Sequence, residues 1–211
     1  MYIDIHSHFA TLSHTVVSRS KGRPWPDSPL FSAGLHPWFL DDYRREDARL
    51  WLLAQAALPG CVAIGEAGLD KLCATPAGVQ RDAFLLCADT AEALQLPLVI
   101  HCVRAFDEIL ALKKQYSTPW IFHGFNKKEA IARQVLHTGA FLSFGKAILR
   151  PDSPAAAALR LCPDDRFFLE TDDCGACDIA AIYTAAAQIK GLTVAQTAEL
   201  VAQNYQKIFT T

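Results

Sequence analysis

Short apolar runs of strand-like composition alternate with stretches of helical period along most of the chain. Runs rich in β-branched and aromatic residues fall at 2–6, 14–19, 31–35, 61–66, 97–101, 119–123, 140–144 and 167–170. After most of them, apolar residues recur at three- and four-residue spacing. Leu50, Leu53 and Ala57 mark one face of 45–57, Phe84, Cys87, Ala91 and Leu94 one face of 79–95, and Phe106, Ile109 and Leu110 one face of 105–114. Residues 127–137 and 178–190 repeat the pattern. A last helix is expected from Thr193, with Gln196 at the capping-box spacing, through Leu200, Val201, Tyr205 and Ile208. Strands alternating with helices predict an α/β protein with a parallel sheet, in one domain spanning residues 1–211.

Two connections break the alternation. Ser20 to Leu30 holds Pro24, Pro26 and Pro29, too many prolines for a crossover helix, and Phe9 to Ser13 is too short to contain one. A barrel built from these strands therefore lacks helices between strands one and three, and apolar strand surface there must be covered by a loop, a tail or a neighbouring chain. The proline-rich segment, with Trp25 and Phe31 in or beside it, is the expected cover. On that basis a monomer is favoured, with a dimer burying the same surface as the alternative.

Length permits one domain with a sizeable core, although 211 residues is short for a full eight-fold barrel. The formal net charge of -2 excludes a global positive field that recruits nucleic acid, so any polyanion must be held locally. No basic segment leads into an apolar stretch at the start, and no apolar run is long enough to cross a bilayer, so a cytoplasmic location is expected. The seven cysteines are then expected to be reduced, mostly buried thiols.

Chemistry changes the picture more than composition does. Five of the strand-like runs close on residues that bind metals: His6 with His8 just beyond it, Glu66, His101, His123 and Asp172. A (β/α) barrel builds its active site from side chains at the C-terminal ends of several strands. His6 and His8 are two apart, so on an extended chain they share a face and can grip one ion together. Glu66 has two oxygens and can bridge two ions, His101 and His123 complete a second site, and Asp172 can reach a metal and its water. Imidazole and carboxylate without thiolate suit two divalent ions, Zn, Mg or Mn, with zinc favoured on affinity. Two ions about 3.5–4 Å apart can clamp the attacking and leaving oxygens of a displacement.

Other residues carry weaker signals. His36 ends the third strand and is read as a substrate contact or proton-transfer group. Arg104 can neutralise a phosphate or pair with Asp107 or Glu108. Lys127 and Lys128 can hold a polyanion backbone or simply begin a solvated helix. His14, His137 and Lys71 read as structural or surface residues. Cys174 and Cys177 have redox-motif spacing but no second pair and no helix start in the right place, so no redox or metal role is assigned to them.

The segments Asp4-Ile5-His6-Ser7-His8, Gly34-Leu35-His36-Pro37, Gly65-Glu66-Ala67-Gly68-Leu69-Asp70, Pro97-Leu98-Val99-Ile100-His101, Phe122-His123-Gly124-Phe125 and Leu169-Glu170-Thr171-Asp172 occur in the order found in TatD-like metal-dependent hydrolases, which the chain resembles over nearly its whole length. Gln80 to Phe84 and Asn204 to Phe209 are similar to that family's helix motifs. The resemblance implies a distorted (β/α)8 TIM barrel of the amidohydrolase type and a two-metal centre. It implies His6, His8, Glu66, His101, His123 and Asp172 as ligands, Glu66 bridging and Asp172 doubling as general base. It also implies hydrolysis of nucleic-acid phosphodiesters, at an end or in a small phosphodiester, as a deoxyribonuclease. Departures are the short region between strands one and three, Gly124-Phe125-Asn126-Lys127-Lys128 after His123, and Trp38 where many relatives carry a second histidine. An amidohydrolase or esterase acting on a small non-nucleic substrate, or a non-catalytic metal-binding scaffold, are the rival readings.

Overall fold

Eight parallel strands lie side by side in chain order in the computed structural model, which describes every residue except Thr11, Ser13, Ala176, Cys177, Thr210 and Thr211. They are β1 (Asp4–Ser7), β2 (Thr15–Ser20), β3 (Leu30–Gly34), β4 (Cys61–Asp70), β5 (Leu98–Val103), β6 (Trp120–Phe122), β7 (Phe141–Phe144) and β8 (Phe167–Leu169). Helices α1 (Arg45–Ala56), α2 (Ala77–Leu94), α3 (Phe106–Lys113), α4 (Glu129–His137) and α5 (Pro154–Leu161) fill the connections from β3 onward. Helices α6 (Ile179–Lys190) and α7 (Val194–Phe209) follow β8. Among the described residues no helix lies between β1 and β3, as the proline-rich sequence predicts. The result is a (β/α)8 barrel lacking its first two crossover helices.

Closure between β8 and β1 depends on few backbone bonds. Asp172 N–H donates to His6 O at 2.9 Å, His8 N–H donates to Asp172 O at 3.0 Å, and Ser7 bridges Asp172. Side chains finish the seam. The Thr171 hydroxyl donates to Asp4 Oδ2 at 2.6 Å and the Thr171 N–H to Asp4 Oδ1 at 3.1 Å. From α6, the Tyr183 hydroxyl accepts the Ile3 N–H at 3.0 Å and donates to the Ile3 carbonyl at 2.9 Å, standing in for strand bonds that β1 lacks on that side. Burial pushes the Asp4 carboxyl up to about 6, against the lowering by its Thr171 hydrogen bonds.

The bare flank is covered from outside. Arg19 of β2 lays its guanidinium over the Phe31 ring, 3.5 Å from the centroid, with the Trp25 ring 5.7 Å away. Trp25 in turn meets Trp51 of α1 edge-on. The proline-rich segment is thus the local lid its composition predicts.

Three expectations need correction. Leu50 and Leu53, expected to face inward from α1, are 56% and 36% exposed, and Ala48 and Leu52 are buried instead. Nearly every residue from Ala48 to Leu53 is apolar or long-stemmed, so spacing alone does not pick a face; the small Ala48 lets the helix approach the sheet. Helix α5 is not among the helices expected from apolar spacing. Its own signals are Ser153, whose hydroxyl accepts the Ala156 N–H at 3.1 Å, and Pro154 at the first helical position, ahead of four alanines. Cys174 is disulfide-bonded, against the expectation of reduced thiols throughout; Cys177 lies outside the described residues. Cys61, Cys73, Cys87, Cys102 and Cys162 are free. The expected cap of α7 is present, with Thr193 N–H donating to Gln196 Oε1 and Gln196 N–H to Thr193 Oγ1. No helix among the described residues is long and apolar enough to cross a membrane.

Neighbouring strands approach too closely for side chains at several glycines, Gly65 and Gly68 among them. A Cβ on Gly68 would stand 1.8 Å from the His101 carbonyl oxygen, and one on Gly65 would stand 2.4 Å from that of Val99. Gly68→Ala is therefore expected to cost more than the roughly 1–3 kcal/mol of ordinary overpacking, because the obstacle is backbone. A urea midpoint within error of wild type, at unchanged m, would contradict this packing.

Candidate metal centre

Most strand ends deliver one or two polar side chains to the same mouth of the barrel. Glu66 is held where β4 passes β5, and its carboxylate, 2% exposed, stands between two groups of imidazoles. Its Oε1 lies 2.8 Å from His101 Nδ1, 2.8 Å from His123 Nε2 and 3.0 Å from His36 Nε2. Its Oε2 lies 3.3 Å from His6 Nε2 and 3.7 Å from His8 Nε2. Asp172 Oδ1 approaches the same two nitrogens, at 3.5 Å and 3.6 Å. All six residues expected as ligands thus converge, with Glu66 between the two sets.

The chemistry of this donor set fits divalent cations. Both ring nitrogens of His6 and Glu66 Oε2 are buried without a hydrogen-bond partner, which in a dry site is costly unless something positive lies between them. The ligand atoms of His6, His8 and Asp172 lie within 4.8 Å of one another, as do those of His6, Glu66 and His123. Burial opposes ionisation of Glu66, yet His123, His36 and His6 hold its carboxyl well below the usual range. Burial and His123 lower the His6 pKa, but Glu66 and Asp172 outweigh them and raise it to about 9. Burial opposes ionisation of Asp172 as well, but the nearby His6 and His123 imidazoles hold its carboxyl low. The site therefore keeps both carboxylates ionised.

A supporting ring orients the imidazoles. Asp70 Oδ2 lies 3.3 Å from His101 Nε2, so one nitrogen of that ring faces Asp70 and the other Glu66. Asp70 is itself fixed by the Trp38 indole N–H at 2.7 Å and the Leu72 N–H at 2.8 Å. Glu170 Oε1 accepts the Gly124 N–H and lies 3.7 Å from His123 Nδ1. Such carboxylate–histidine pairs set the tautomer and aim of a ligand. The sequence reading left Asp70, Glu170 and Trp38 without a role, although the first two stand inside motifs it singled out.

His36 sits deeper than a substrate contact at the rim. It is 4% exposed, and a ring nitrogen of His36, a carboxylate oxygen of Glu66 and a ring nitrogen of His101 form a third cluster within ligand reach. Its Nδ1 accepts the Trp38 backbone N–H at 3.1 Å, so in the neutral ring the proton is on Nε2, aimed into the site. Lys127 lines a small cleft with His101, His123 and Asp172. Arg104 is exposed and left-handed at φ 56°, and Glu108 pairs with Arg81 at 3.8 Å and not with Arg104. His137 is exposed at the end of α4, away from the site.

The sequence model of the family described as TatD related DNase matches residues 6–210. The chain is 36% identical over 152 residues to the 3'-5' ssDNA/RNA exonuclease TatD of Cronobacter turicensis, covering 67% of this chain and 56% of that protein. It is 28% identical over 201 residues to the metal-dependent hydrolase YcfH of Escherichia coli K12, covering 87% of this chain and 74% of that one. The crystal structure of YJJV, a TatD homolog from Escherichia coli K12, superposes with a TM-score of 0.81 at 19% identity, over 100% of this chain and 98% of that one, which matches the fold. The chain thus spans little more than half the length of the first relative.

Proposed function

The chain belongs to the TatD-related DNase family, and from that premise we propose that it is a metal-dependent hydrolase cleaving phosphodiester bonds at nucleic-acid ends. The observation that carries the reading is one buried carboxylate, Glu66, serving two imidazole groups through its two oxygens. One cation would be held by His6, His8, Asp172 and Glu66, the other by Glu66, His101 and His123. Zinc suits these nitrogen and oxygen donors, and Mg or Mn would serve the same chemistry. When bound, such ions acidify water and neutralise charge on a phosphoryl group.

The protein's own groups do the rest. Asp172, 28% exposed in its side chain, stands at the open edge of the first set and accepts the proton of the attacking water. His36 directs its Nε2–H at Glu66 Oε1, 3.0 Å away, and so positions that carboxylate. Lys127, beside the second set, meets a phosphate, and Arg104 supports the strand farther out. With so few basic groups near the mouth, the salt slope of log affinity should be shallow, near one unit per phosphate contact.

An amide- or ester-directed enzyme would use similar metals, but the exonuclease named among the relatives favours a nucleic-acid strand end. We also infer a monomer, because Arg19, Trp25 and Phe31 already cover the flank that a dimer would bury; sedimentation at micromolar concentration tests this. The five free thiols support a reducing, cytoplasmic setting, to which the Cys174 disulfide is the exception. The functional test is metal-reconstituted protein assayed on single-stranded oligonucleotides and on chromogenic phosphodiester, phosphomonoester, amide and lactone substrates. Phosphodiester cleavage abolished by chelation and restored by metal is expected. Preferential turnover of amides or lactones would displace the reading.

A further inference from the structure

A second cavity, of about 320 Å³, opens against the metal centre and shares His8 and His36 with it. Ser18 and Ser20 of β2 line it. They are two apart on a strand and so turn the same way, toward the barrel interior, while Arg19 between them packs outside on Phe31. Only 5% and 4% exposed, both hydroxyls lack a hydrogen-bond partner. Buried hydroxyls are ordinarily satisfied, so two orphans in one cavity wall point to a polar ligand.

The other walls are aromatic. Trp38 is 53% exposed, yet its ring is not free to swing: the indole N–H is tied to Asp70 and the ring stands edge-on to His36 and His101. Phe9, 44% exposed, and the half-buried Trp25 and Phe39 also line the space. A pre-set exposed indole beside a phosphodiester site is a stacking platform for an unpaired base. The volume lies at the low end of the roughly 300–1,000 Å³ of small-molecule sites, room for one nucleoside and not a stacked pair.

We propose that this cavity is a nucleoside subsite that seats the single terminal nucleoside of the strand, its base against Trp38 and its polar edge on the Ser18 and Ser20 hydroxyls. It rests on the nucleic-acid reading above and adds that the base of the terminal nucleotide is recognised, by shape and stacking.

The test compares single strands that end in an ordinary nucleotide with strands ending in an abasic tetrahydrofuran residue, at either end, using metal-loaded protein. A roughly tenfold or greater preference in kcat/KM for the base-bearing end is expected, the effect of one stacked base. Trp38→Ala should erase that preference, and Trp38→Phe, which keeps a ring but loses the donor to Asp70, should retain most of it. The double variant Ser18→Ala, Ser20→Ala should weaken binding of adenosine monophosphate, read by quenching of tryptophan fluorescence in wild type. An active enzyme that cleaves both ends equally overturns the subsite and leaves the nuclease reading standing. Protein that cleaves no nucleic acid, yet binds adenosine monophosphate in a Trp38-dependent way, overturns the nuclease reading and supports the subsite. Absence of both preference and nucleotide binding overturns the proposal.

Discussion

Glu66→Gln is expected to remove both metal ions and reduce phosphodiester hydrolysis to background while the barrel still folds. The substitution keeps the volume of the side chain but removes its charge. Oε1 faces three imidazole nitrogens within 3.0 Å and Oε2 faces His6 at 3.3 Å, so one neutralisation weakens both positions together. Loss of a residue that merely supports a ligand costs about 10–100-fold in affinity. A shared ligand should exceed that at each position. Metal analysis after dialysis is the first readout. The second is thermal: a cation at 100 times its dissociation constant adds about 2.7 kcal/mol of stability, and the variant should lose that metal-dependent rise in melting temperature. Retention of two ions per chain by the Gln variant would show that Glu66 does not link the sites.

The convergence of the six candidate ligands was legible because they are written at strand ends. A run such as Pro97 to His101 declares both its strand and its terminal donor, and a barrel brings such ends together whatever their separation in sequence. What was not legible depends on lateral register. Asp70 reaches His101 because β4 continues past Glu66 and pairs Gly68 with His101 and Asp70 with Val103. No pattern within either strand contains that offset. Trp38 is a loop residue whose indole finds Asp70 across the mouth, a contact set by the fold of the connection after β3. The face of α1 was misread for a related reason: in Ala48 to Leu53 the apolar residues are too dense to define a stripe, and the sheet chose Ala48 and Leu52.

The supporting residues show how the barrel's weakest seam and its site are joined. Asp4 holds Thr171 across the gap between β1 and β8, and the residues beside that bond are His6 and Asp172. Closing the barrel and aiming two of the proposed ligands are therefore one structural event. The backbone bonds from Asp172 N–H to His6 O and from His8 N–H to Asp172 O lie in the same few residues. Position, not only chemistry, thus separates Asp172 from the neighbouring Asp173, whose Oδ1 instead accepts from Lys146 at 2.8 Å.

Asp172→Asn should leave the fold intact, weaken the metal held by the first set, and in metal-saturated protein lower kcat by about 10²–10⁴-fold, the usual effect of losing a general base. Asp172 has φ 55°, a left-handed conformation that asparagine adopts more readily than most residues, so the backbone of the seam is preserved. The amide oxygen can still take the place of Oδ1, 3.5 Å from His6 Nε2 and 3.6 Å from His8 Nε2. What the amide cannot do is accept the proton of the attacking water, since its nitrogen carries hydrogens and its oxygen is a far weaker base. Alanine would be a poorer test, because it removes the ligand atom as well as the base. Single-turnover rates should fall in step with kcat, because the loss is in the chemical step. Activity near wild type in the metal-loaded Asn variant would take Asp172 out of proton transfer and leave it only as a ligand.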